Sequence, residues 1–63
     1  MVSQLIKLEW HSIAKHWEVR QNGIVIFQGK SKGVALNFAE QRVDLWESKG
    51  VEVIPVFDLR GGA

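Results

Sequence analysis

The dipeptide Asn22-Gly23 constrains this chain more than any other feature. It sits between two runs of strand-forming residues, Trp17-Glu18-Val19-Arg20 and Ile24-Val25-Ile26-Phe27. A two-residue hairpin loop of type I′ needs positive φ at both central positions, and Asn followed by Gly tolerates that best. A regular two-residue hairpin sets Gln21 opposite Ile24, Val19 opposite Ile26 and Trp17 opposite Gln28. Trp17, Val19, Ile24 and Ile26 then share the expected core face, and Glu18, Arg20, Val25 and Phe27 share the outer face.

The flanking segments extend the pattern. Leu5 to His11 alternates, with Ile6, Leu8 and Trp10 on one side and Leu5, Lys7 and Glu9 on the other, which is the period of a half-buried strand. Ser12 to Lys15 breaks the alternation and connects to the hairpin. After the turn Gly29-Lys30-Ser31-Lys32-Gly33, Ser31 is the best N-cap because its hydroxyl can accept a free first-turn amide. Ala35, Ala39, Val43 and Trp46, flanked by Leu36 and Phe38, form the apolar stripe of a helix from about Lys32 to Lys49. Gly50 supplies the left-handed stop. Val51 to Leu59 reads as a last strand, and Pro55, which lacks an amide proton, assigns it to a sheet edge. The pattern predicts one α+β domain over residues 1–63, in the order β-β-β-α-β. It has a three-stranded antiparallel sheet plus a C-terminal edge strand, one helix packed on one face, and a frayed tail at 60–63.

With 63 residues, the chain can bury only about 60% of the surface it exposes when unfolded. It has no cysteine, so neither disulfides nor a thiolate zinc site can supplement the core, and self-association is the remaining route. A net charge of +1 with scattered charges points away from a dedicated polyelectrolyte partner. No apolar run approaches the ~20 residues that span a bilayer, and no basic-then-apolar leader opens the sequence. The expectation is a cytoplasmic protein with no membrane partner.

Catalytic chemistry has no clear carrier. His11 and His16 lack a third ligand, and a metal site needs three or four. Ser3, Ser12, Ser31 and Ser48 stand where ends, turns and caps explain them, and Glu40, Asp44 and Glu47 read as a solvated helix face. Gly29 to Gly33 lacks the spacing of a phosphate-binding loop. The expectation is a non-enzymatic chain with no cofactor and no metal.

Trp17-x-Val19, Asn22-Gly23, Ser31-Lys32-x-x-Ala35 and a terminal strand together resemble a group of small bacterial β-β-β-α-β domains of unknown function. The resemblance implies the fold alone. The same layout more loosely resembles the arm-binding domains of phage-type integrases, which lay a three-stranded sheet into the DNA major groove. Those sheets are studded with Arg and Lys, whereas the matching hairpin face here would carry Glu18, Arg20, Val25 and Phe27. The functional expectation is therefore a protein-interaction module that forms a homodimer or engages a protein partner. Its contacts would be Val25 and Phe27 on the hairpin or Val53, Val56 and Phe57 on the last strand. The alternative is a nucleic-acid-binding domain contacting phosphates through Lys15, Arg20, Lys30 and Lys32. A third reading is a small inhibitor or adaptor of phage origin.

Overall fold

The computed structural model describes residues 3–61. Its elements are β1 (Gln4–His11), β2 (His16–Gln21), β3 (Ile24–Gly29), α1 (Lys32–Ser48) and β4 (Val53–Phe57). They form an α+β fold in the expected order, one helix against a four-stranded sheet ordered β3-β2-β1-β4. The β2–β3 turn has the geometry its residues allow, with φ 53° at Asn22 and 86° at Gly23. Asn22 also ties the turn to β1: its amide donates to the Leu5 carbonyl and its Oδ1 accepts from the Leu5 amide, each at 2.9 Å.

The helix ends follow their local chemistry. Ser31 Oγ accepts the Val34 amide at 3.3 Å and caps the N-terminus. At the other end Gly50 takes φ 75°. Its amide donates to the Glu47 carbonyl while the Val51 amide donates to that of Trp46, the two bonds of a Schellman motif. The chain then returns to run parallel to β1, whereas the other pairings are antiparallel. Pro55 lies on this edge strand. The Gln4 amide donates to Glu52 and the Asp58 amide to Leu8, so even-numbered β4 residues turn their backbone toward β1. Alternation points position 55 outward, where a missing N–H orphans no ladder acceptor.

Ile6, Leu8, Trp17, Val19, Ala35 and Ala39 are fully buried. Each large side chain among them contributes about 1.5–3 kcal/mol by leaving water. The two alanines let α1 lie close to the sheet, while Trp10, Leu36, Phe38, Val43 and Trp46 close the sides. Trp10 pairs with Trp17 across β1 and β2, with ring centroids 5.5 Å apart. The segment after β4 is described as far as Gly61, which has φ +87° and sits where a Cβ would come 3.0 Å from the Trp10 ring.

The hairpin departs from the regular register. Gln21 pairs with Ile24 and Arg20 with Val25, but Val19 pairs with Phe27 and Trp17 with Gly29. Ile26 is thus an extra residue in β3, a β-bulge. The structure corrects two sequence expectations on this strand, the first of them through the bulge. Phe27, expected on the outer face, joins Val19 on the helix side and stacks on Phe38 at 4.9 Å. Ile24, expected in the core, is 69% exposed at the hairpin tip.

Candidate functional site

The sheet face away from α1 carries a banded polar array. Across β1 and β2, Lys7 lies beside Arg20, Glu9 beside Glu18 and His11 beside His16. Like charges directly opposite are unfavourable, and neutralisation runs along the strands instead. Lys7 Nζ is 3.3 Å from Glu9 Oε2, and Arg20 Nη2 donates to Glu18 Oε2 at 3.0 Å. His16 Nε2 meets Glu18 Oε1 at 3.1 Å. Glu18 was expected on a wet face, yet it is only 4% exposed because its neighbours cover it. The His16 hydrogen bond, followed by Arg20, holds its carboxyl below the ordinary value even though burial pushes the other way. One donor of the array is left over: Arg20 Nε is buried without a hydrogen-bond partner among the described residues. Arg20 Nη1 also donates to the Gly23 carbonyl at 3.3 Å, and His11 Nδ1 accepts the Ala14 amide at 3.1 Å. Among the described residues no three His, Cys, Asp or Glu side chains converge as metal ligands.

Most exposed apolar side chains fall into two clusters. At the β1–β4 corner of the open face, Ile54 lies beside Leu5, and Val56 lies beside Lys7. Leu5, Ile54 and Val56 are all exposed. Of the expected last-strand contacts, Val56 alone is here. Val53 and Phe57 pair with Gln4 and Leu8, turn to the helix side and pack on the core. Val25, expected on the outer face, pairs there with Arg20 and is half-buried.

The second cluster flanks α1 on the β3 side. Val34 is 56% and Leu45 41% exposed, with Ile24 at the adjacent hairpin tip. Phe38, Gln41, Arg42 and Leu45 line a groove of about 330 Å³. The Arg42 guanidinium lies 5.2 Å from the Phe38 ring. On the opposite flank Glu40, Val43, Asp44, Pro55 and Phe57 line a groove of about 230 Å³.

The candidate phosphate contacts divide. Lys15 is in the β1–β2 turn, Lys30 precedes the N-cap Ser31 and Lys32 opens α1, so strand direction gathers all three at one end of the sheet. Lys32 Nζ lies 5.7 Å from the Trp17 ring centroid. Arg20 does not join them, being held by Glu18 on the open face.

Sequence reasoning overlooked the buried Glu18 and the α1 flank. For Glu18 the signal was its place between His16 and Arg20 at i±2, which a strand puts on one face. For the flank it was the 4-3-4 spacing of positions 34, 38, 41 and 45, masked by the stronger alanine stripe. No family model, curated protein or solved structure matches the chain.

Proposed function

We propose that this chain is a non-enzymatic protein-interaction module that associates with itself. One observation carries the reading. Among the described residues eight large apolar side chains stand exposed, against six buried apolar residues, and six of the exposed ones gather into the two clusters. Single exposed apolar residues such as Ile13 and Leu59 are ordinary, but clusters on so small a core are surfaces that gain by being covered. The polar array on the open face supports the non-enzymatic part, since both of its carboxylates, Glu9 and Glu18, are already paired with neighbouring side chains. No helix among the described residues is long and apolar enough to cross a membrane.

Sheet-edge pairing is the wrong mode for this association. Pro55 sits at an outward backbone position of β4, and the bulge at Ile26 interrupts the two-residue spacing of outward groups on β3. Contact through side chains fits better. Sedimentation velocity over roughly 1–500 µM, where contacts of the small interface class dissociate, is expected to show a rise from monomer to dimer mass. A constant monomer mass over that range overturns the reading.

Nucleic-acid binding is the second reading, and the grouping of Lys15, Lys30 and Lys32 at one end of the sheet favours it. It requires affinity for duplex DNA that falls with salt, because phosphate contacts release counterions. Binding that is absent at low salt, or unchanged in a Lys30→Glu, Lys32→Glu variant, removes it.

A further inference from the structure

The Asn22-Gly23 turn carries a reactivity that the fold does not need. An asparagine carboxamide is open to attack by the next main-chain nitrogen, most readily when glycine follows, because glycine has no Cβ to obstruct the approach. Asn22 and Gly23 are both exposed, and no atom lies within 4 Å of where a Gly23 Cβ would stand. Among the described residues the Gly23 amide donates no hydrogen bond, so the nucleophile is free. The other asparagine, Asn37, differs in both respects: a bulky Phe38 follows it, and it sits within α1, where the backbone is held helical.

The electrophile, by contrast, is stapled to β1. Asn22 Oδ1 accepts the Leu5 amide at 2.9 Å, and Nδ2 donates to Gln4 Oε1 at 2.7 Å. The Asn22 amide donates to the Leu5 carbonyl at 2.9 Å, and Arg20 Nη1 holds the Gly23 carbonyl at 3.3 Å. Ring closure brings Cγ to bonding distance of the Gly23 nitrogen and so draws both ends of the carboxamide off β1.

We infer that Asn22 is a deamidation site gated by release of the hairpin tip from β1. In the reaction the Gly23 nitrogen bonds to Asn22 Cγ and the Cγ–Nδ2 bond breaks. Nδ2 leaves as ammonia with the Gly23 proton. Water then opens the succinimide at one carbonyl or the other, giving aspartate or isoaspartate and lowering the formal net charge of +1 by one.

Neither product restores the staple. Isoaspartate adds a main-chain atom to a two-residue loop whose length sets the register of the hairpin. Aspartate still accepts the Leu5 amide, but it sets a second carboxylate oxygen against Gln4 Oε1. That oxygen also accepts Gln21 Nε2 at 3.0 Å, so turning the Gln4 carboxamide round forfeits the Gln21 bond. The reaction acts as a ratchet: a tip that opens and reacts closes less firmly afterwards, and the modified fraction records the time spent open.

The test follows loss of Asn22 in mildly alkaline buffer, with and without denaturing urea, by ion exchange and peptide mapping. Deamidation in native buffer is expected to be at least about tenfold slower than in urea, because it draws on the open population alone. Gln4→Ala is expected to accelerate it severalfold in native buffer and to leave the rate in urea unchanged. The deamidated fraction, isolated and returned to native buffer, is expected to unfold at lower urea than the parent. Persistence of Asn22 in urea overturns the site. Equal rates in native buffer and urea overturn the gating, as does a Gln4→Ala variant with native circular dichroism and the parent's rate. A deamidated fraction with the parent's urea midpoint overturns the ratchet. The parent comparison decides the gating whether or not Gln4→Ala folds.

Discussion

Glu18 is the residue at which local chemistry and burial pull hardest against one another. A carboxylate almost closed off from solvent persists because His16 and Arg20 each supply a hydrogen bond. Its folded-state pKa lies below the ordinary 4.5. A lowered carboxylate pKa contributes stability that is fully present above the unfolded value and is lost as pH falls through the folded one. Glu18→Gln is therefore expected to cost about 1–2 kcal/mol at neutral pH. It should also flatten the fall in stability below roughly pH 4.5, as read by urea denaturation at a series of pH values. Equal acid sensitivity in parent and variant would mean that other carboxylates carry the dependence. Phe27 offers a second test. Its stack on Phe38 makes Phe27→Ala a packing mutation, expected to destabilise the fold by about 2–3 kcal/mol, whereas an outer-face phenylalanine would lose far less.

At the scale of elements, β3 and β4 show how one residue changes what a strand can do. Alternation alone puts Phe27 on the face opposite Val19, and the added residue Ile26 reverses that. Nothing near Ile26 in the sequence signals the insertion, because bulges arise where tertiary packing rewards a shifted side chain, here the ring of Phe38 on α1. Pro55 acts through what it lacks. Pro55→Val restores an outward amide to the β4 edge and is expected to raise edge pairing, seen as accelerated aggregation in thioflavin fluorescence and light scattering. The caps of α1 were readable directly, since Ser31 and Gly50 satisfy helix-end groups from within a few residues. Gly50→Ala at φ 75° is expected to lower stability by about 1 kcal/mol in thermal or chemical denaturation.

For the molecule as a whole, the small core and the exposed clusters are two sides of one constraint. A 63-residue chain has too little volume to enclose all its apolar side chains. Association supplies the missing coverage and links stability to concentration. The melting temperature is expected to rise by several degrees between about 5 and 500 µM as association covers the exposed apolar side chains. A melting temperature independent of concentration would show that folding is complete in the monomer and gains nothing from a second copy.

The sequence by itself determined the element order, the Asn22-Gly23 turn, both ends of α1 and the inward set Ile6, Leu8, Trp17, Val19, Ala35 and Ala39. These depend on interactions between residues a few positions apart, or on periodicities that a single segment displays. Only the tertiary structure decided that β4 runs parallel to β1, that Phe27 turns inward, that Glu18 is covered, and that Val53 and Phe57 part company with Val56. Each of these depends on which distant segment lies alongside, and packing free energy, summed over the whole sheet and helix, makes that choice.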